Sequence, residues 1–136
     1  MEDFRLINTP IIQDPRGNLT VGEFGKQIPF HPNRYFVIYQ VPLVDIRGEH
    51  AHKACHQFLI CIRGSVMAIA DNGNRREEFR LDRPNIGLYM PPMTWGTQHT
   101  YSPDAVLLVY ASHYYDAQDY IRNYDEFIVL TKRKEQ

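Results

Sequence analysis

The apolar positions of this chain come in short runs, and prolines, glycines and asparagines cut between them at regular intervals. Pro10, Pro15-Arg16-Gly17, Pro29, Pro32, Pro42, Gly48, Gly64, Asn72-Gly73-Asn74, Pro84, Pro91-Pro92 and Pro103 leave pieces of strand length. Tyr35 to Val41, His56 to Ile62, Ser65 to Ala70, Glu77 to Leu81, Ile86 to Met90 and Ala105 to Ala111 alternate or are solidly β-forming, which predicts strands. Asp71-Asn72-Gly73-Asn74 reads as a hairpin turn, because Asn and Gly tolerate the positive φ that such turns require. Between Tyr115 and Phe127, Tyr120, Ile121, Tyr124 and Phe127 fall at mixed three- and four-residue spacings, which predicts one short C-terminal helix. Lys132 to Gln136 reads as a solvated, frayed tail. The pattern is that of an all-β barrel or sandwich, and with no linker or repeat it predicts a single domain over residues 1–136.

Composition narrows this without redirecting it. The 136 residues are 43% hydrophobic and 23% charged, as in globular proteins, which sets aside disordered and coiled-coil classes. A net charge of −1 with dispersed Lys and Arg argues against nucleic acid or an anionic membrane as partner, so an anionic ligand needs locally placed arginines. No apolar run approaches the roughly 20 residues of a membrane span, no signal peptide is visible, and Cys55 and Cys61 form no CxxC pair, so a cytoplasmic location is expected. If the two cysteines share a strand they face the same way but lie too far apart to bridge.

The chemistry concentrates in Arg47-Gly48-Glu49-His50-Ala51-His52. Histidines at i and i+2 of an extended strand project to one face, where a single small substrate meets both. With an unperturbed pKa of ~6.5, imidazole keeps its acid and base forms accessible near neutrality, which suits proton relay.

This segment resembles the first motif of the cupins, a glycine and HxH followed by a glutamate and a further glycine. His50, His52 and Gly64 match, but Gln57 stands at the glutamate. Gly87 to Thr97 resembles the second motif, with Thr97 near the expected histidine. The resemblance therefore implies a jelly-roll β-barrel of cupin type with a short C-terminal helix. Two of its four metal ligands are missing, so the HxH is expected to be free for proton transfer, with no metal and no cofactor.

Asp14-Pro15-Arg16-Gly17 together with Arg47-Gly48-Glu49-His50 is similar to segments of the dTDP-sugar 3,5-epimerases. More specifically, Ile28-Pro29-Phe30, Arg47 to Lys53, Gly87-Leu88-Tyr89, Trp95, Ala111 to Asp116 and Asp119 to Asp125 resemble the dTDP-4-keto-6-deoxyglucose 3,4-ketoisomerases that feed deoxyamino-sugar synthesis. That resemblance implies an isomerase acting on a dTDP-linked keto-sugar, with His50 and His52 moving the protons through an enediol. His52 is expected at carbon and His50 at oxygen, whereas the epimerase resemblance gives the carbon base as His50. Arg47 and Arg16 are candidates for the diphosphate, with Arg34 a third, because a guanidinium fork matches phosphate oxygens. Trp95, Tyr89 and Gln57 are candidates for lining the sugar or base site. Tyr114, Tyr115 and Tyr120 read as packing around the helix, and Arg75, Arg76, Arg80 and Arg83 as surface ion pairs. Arg16 resembles the arginine of galacto-forming members, although Gly96 stands where relatives often carry a larger polar residue. The family also implies a homodimer, with exchange of N-terminal strands as a possible arrangement. Two rival readings are a metal-dependent cupin using His50, His52, His56 and His99, and a sugar-nucleotide binding module without turnover.

Overall fold

The computed structural model describes residues 2–135, and side chains as far as Arg133. The chain runs through β1 (Arg5–Asn8), β2 (Ile11–Asp14), β3 (Gly17–Thr20), β4 (Arg34–Tyr39), β5 (Arg47–His52), β6 (Gln57–Arg63), β7 (Val66–Asp71), β8 (Arg76–Leu81), β9 (Ile86–Met90), β10 (Trp95–His99) and β11 (Val106–Ala111). A 3-10 turn (Ala117–Asp119), a two-residue strand β12 (Tyr120–Ile121) and helix α1 (Tyr124–Glu135) complete it.

Two five-stranded sheets, ordered β1-β9-β6-β11-β4 and β12-β5-β10-β7-β8, lie face to face, and β2-β3 forms a separate ribbon. Every pairing within them is antiparallel. Among the described residues no strand pairing joins one large sheet to the other, so the expected barrel is a two-sheet jelly roll. The inward residues, among them Leu59, Cys61, Val66, Ala68, Leu88, Leu107 and Val109, fill the space between the sheets. Strict alternation along β11, where Leu107, Val109 and Ala111 are buried and their neighbours only partly so, is the pattern of a strand with one core face.

Each sheet also carries a smaller apolar layer outside. On the first, Ile7, Phe58 and Tyr89 are covered by Ile28 and Phe30. Gly87 permits this, because a Cβ there would overlap the Phe58 ring. On the second sheet, Phe127 of α1 packs with Ala51, Trp95 and Ile121. The helix begins later than the spacing suggests: Tyr120 and Ile121 pair with His52 and Ala51 of β5. Lys132 and Arg133, expected in a frayed tail, belong to α1, while Gln136 lies outside the described residues. Both cysteines are free, and Cys55 precedes β6 instead of sharing it with Cys61. No described helix is long and apolar enough to cross a membrane.

Candidate active site

At one end of the space between the sheets, a cavity of about 220 Å³ is lined by Arg47, Gly48 and His50 of β5, Gln57 and Leu59 of β6, Met90, Gly96 and Gln98. Phe36, Ile38, Val109, Tyr120 and Arg122 close it. A larger depression of about 350 Å³ beside β4 and the 40–46 loop shares Arg47 but is lined by no histidine, so the HxH pair belongs with the smaller cavity.

A β-bulge composes this wall. Gly96 pairs with His50, yet the next residue, Thr97, pairs with Gly48, leaving Glu49 as an extra residue in β5. Gly48 (φ +83°) and Glu49 (φ +58°) both take left-handed backbone there. Simple alternation sends residues 47 and 50 to opposite faces; the inserted residue brings Arg47 and His50 to the same cavity. A side chain at Gly48 is excluded, since its Cβ would lie 2.8 Å from the Gly96 carbonyl oxygen.

The two histidines stand side by side, ring centres 5.0 Å apart. His50 Nδ1 lies 3.0 Å from the Gly48 carbonyl oxygen, which can only accept, so Nδ1 carries the proton and Nε2 has the lone pair. His52 Nδ1 lies 3.0 Å from Asp119 Oδ2, and its Nε2 is buried without a partner. The Asp119 carboxyl is held below its usual range: burial opposes this, but the Ala54 amide, His52 and the Cys55 amide outweigh it. It is therefore an acceptor, and His52 too is protonated on Nδ1. Burial pushes the His52 pKa down to about 4, with neighbouring His50 adding to the shift and Asp119 opposing it. Burial likewise lowers His50, helped by Arg122 and Arg34 against the Gly48 hydrogen bond. Near neutrality both rings are uncharged bases.

Tyr120 packs against both rings, at 4.9 Å from His50 and 4.4 Å from His52. Arg122 lies over the Tyr120 ring, 4.4 Å from its centre. Arg34 donates to the Tyr120 hydroxyl at 3.4 Å and leaves its own Nε buried and unpartnered.

Of the residues singled out from sequence, the structure gathers His50, Arg47 and Gln57 at the cavity, with His52 and Arg34 adjoining. Strand alternation corrects two of these expectations. Trp95 points from β10 towards α1, edge-on to Tyr124 at 5.3 Å, while its neighbour Gly96 lines the cavity. Tyr89 points outward from β9, its hydroxyl 2.8 Å from both His56 Nδ1 and Glu2 Oε2, and Met90 faces the cavity instead. Arg16 sits at the tip of the β2-β3 ribbon, its side chain 90% exposed and paired with Asp14, outside the residues that line this cavity. Tyr120, expected as packing around the helix, lines the cavity, while Tyr114 and Tyr115 are exposed. Asp119, Arg122 and Gln98 escaped the sequence reading; the first two lie in the block resembling the ketoisomerases, but only folding shows that they meet the histidines.

The donor set of the metal-dependent alternative does not assemble. His56 bonds Tyr89 on the outer face of the first sheet, and His99 bonds Glu78 and Thr100. Arg75, Arg80 and Arg83 form the surface ion pairs expected of them.

The sequence pattern of the family described as FdtA, WxcM-like, C-terminal, matches residues 2–132. The chain belongs to the FdtA family. Among FdtA-like relatives, the TDP-4-oxo-6-deoxy-alpha-D-glucose-3,4-oxoisomerase of Aneurinibacillus thermoaerophilus is 45% identical over 90% of this chain and 88% of its own. The sugar 3,4-ketoisomerase QdtA of Thermoanaerobacterium thermosaccharolyticum, solved in complex with TDP, is 39% identical with a TM-score of 0.91, covering 97% of this chain and 96% of that one. A variant of that enzyme solved with TDP-4-keto-6-deoxyglucose gives 38% identity and a TM-score of 0.91 over 98% and 97%. The resemblance read from the Arg47 and Asp119 segments is thereby borne out at the level of the family.

Proposed function

We propose that this FdtA-family chain is a 3,4-ketoisomerase of TDP-4-keto-6-deoxyglucose, working by two-histidine acid/base catalysis. The observation that carries the mechanism is the adjacent pair of neutral imidazoles, each with Nδ1–H engaged and the Nε2 lone pair free. The relatives named as 3,4-isomerases of this sugar support the substrate.

Moving the carbonyl from C4 to C3 begins with loss of the C3 proton, acidified by the adjacent ketone. The enediol is then protonated at C4, while a second proton passes from O3 to O4. His52 takes the carbon proton in this reading, because the Asp119 carboxylate stabilises the imidazolium that exists between removal and return. His50, whose Nδ1 meets only a backbone carbonyl, shuttles between the oxygens. Arg47 and Arg122, both at the cavity, and Arg34 bind the diphosphate, with Gln57 and Gln98 towards the sugar hydroxyls. A 3-keto product is set up for amination at C3, which supports a role in deoxyamino-sugar synthesis.

The proposal includes a homodimer. Tyr35, Val37 and Tyr39 project from edge strand β4 at 68%, 40% and 60% exposure, and the ribbon exposes Ile11, Ile12 and Leu19. Pairing two copies covers such surfaces and lets the ribbon carry Arg16 to the partner's cavity. The galacto configuration at C4 rests on Arg16.

Incubation with TDP-4-keto-6-deoxyglucose in deuterium oxide, followed by NMR, tests the reading. The expected result is a 3-keto sugar with deuterium at C4 and couplings of the galacto form; no 3-keto product sinks it. His50→Asn and His52→Asn should each abolish turnover while retaining TDP binding.

A further inference from the structure

We infer that His52, Cys55 and Asp119 form a site for a soft divalent cation such as Zn²⁺ or Cd²⁺, and that its occupation switches the isomerase off. The inhibitory part rests on His52 being a catalytic base.

The ligating atoms of these three residues all lie within 4.8 Å of one another. A tetrahedral Zn²⁺, with bonds of about 2.0–2.3 Å, places its donors roughly 3.3–3.6 Å apart. His52 Nδ1 and Asp119 Oδ2 are already 3.0 Å apart, so a small opening of that contact and a closing movement of the thiol complete the grip. The three donor types, imidazole, thiol and carboxylate, are those zinc prefers. The site differs from a cupin metal centre, which needs donors converging in the cavity; Cys55 lies in the turn between β5 and β6, and Asp119 in the 3-10 turn.

Supporting contacts keep the ligands in place. Asp119 Oδ1 accepts from the Ala54 amide at 2.8 Å, and its backbone oxygen accepts from Lys53 at 2.9 Å. The Cys55 thiol donates to the His56 carbonyl at 3.3 Å and lies 3.8 Å from the Ser112 hydroxyl that donates to it. Cys55 and His52 are 2% and 4% exposed, whereas the Asp119 side chain, at 13%, offers the route of entry.

The thiol releases one proton and binds as thiolate, the carboxylate binds as it stands, and the metal takes the Nδ1 lone pair of His52 once the ring proton has moved to Nε2. The Nε2 that served as base thus becomes an N–H donor, and carbon deprotonation stops.

Cadmium titration of the purified protein tests the site through a signal independent of turnover. One equivalent should produce the ultraviolet charge-transfer absorption of a cadmium thiolate and release one proton, with activity falling in parallel. Cys55→Ala should remove the absorption, raise the half-inhibiting cadmium concentration by at least ~10-fold, and leave metal-free turnover unchanged; Cys61→Ala should behave as the parent. Absence of the charge-transfer signal, equal inhibition of Cys55→Ala, or full occupancy without loss of activity would each overturn the inference. Failure of the two-histidine reading is distinguishable, because His52→Asn would then turn over normally in the absence of any metal.

Discussion

Replacing Asp119 by asparagine changes one atom and one charge while keeping the outline of the side chain. In the native site Oδ1 is committed to the Ala54 amide and Oδ2 accepts the His52 Nδ1 proton. The asparagine oxygen takes over the Ala54 contact, which turns the amide –NH₂ towards His52. An N–H then faces Nδ1, so the favoured tautomer carries its proton on Nε2 and has no lone pair for the substrate. The lost charge-assisted hydrogen bond is worth about 1.5–3 kcal/mol, and the buried donor-to-donor clash adds to it. A tautomer shift of about 2–4 kcal/mol lowers the competent fraction, and with it kcat, by roughly 30- to 1,000-fold. KM should change little, since Asp119 does not line the cavity. Steady-state kinetics supply the rate, and ¹⁵N shifts of His52 report the tautomer. A variant whose kcat stays within threefold of the parent, or whose His52 keeps its proton on Nδ1, would refute this reasoning.

Further outcomes follow from the same geometry. Because burial holds His52 at about 4 and lowers His50, the acid limb of kcat/KM should fall well below the ordinary histidine value, with activity retained at pH 6. The same depression bears on stability: the unfolded chain protonates His52 near 6.5 and the folded chain only near 4, so stability is full above pH 6.5 and declines by roughly 3 kcal/mol towards pH 4, measurable by urea unfolding. Gly48→Ala should strain the positive φ and press on the Gly96 carbonyl, costing about 1–3 kcal/mol in Tm-derived stability and raising KM as Arg47 is displaced. Tyr124→Phe removes a 2.6 Å hydrogen bond to Asp71 under α1; it should cost about 1–3 kcal/mol in denaturant unfolding while leaving kcat intact.

The sandwich was legible wherever a strand has one buried face. Ile86–Met90 is β9 as expected, and β4, β6, β7, β8 and β11 lie within two residues of the runs that suggested them. The ribbon was not, because Ile11–Asp14 and Gly17–Thr20 bury no strand face, so no alternation marks them. β10 is short and sits in a proline-rich stretch whose register depends on a bulge in its neighbour. The HxH pair could be read because a two-residue spacing means the same thing in any strand. Arg47 could not be placed by spacing, since a single inserted residue, Glu49, reverses its face. Trp95 and Tyr89 were assigned by nearness to a motif, and one step of alternation sends each to the wrong side of its sheet. The helix was displaced because Tyr120 and Ile121 are apolar for the sake of β5 and the cavity, a tertiary demand that mimics helical spacing.

The pairing of β12 with β5 also bears on when the protein becomes competent. Asp119 follows His52 by 67 residues, and that partner arrives only after β5 to β11 have been specified. During synthesis, a nascent chain that has assembled β5 to β11 holds His50 and His52 on their strand but lacks the carboxylate that fixes one tautomer and the tyrosine that walls off both rings. Closing so long a loop comes late on entropic grounds. In the proposed mechanism the segment that follows β11 therefore completes the proton chemistry, and chains cut before Asp119 carry the pocket walls without the carboxylate that sets the His52 tautomer.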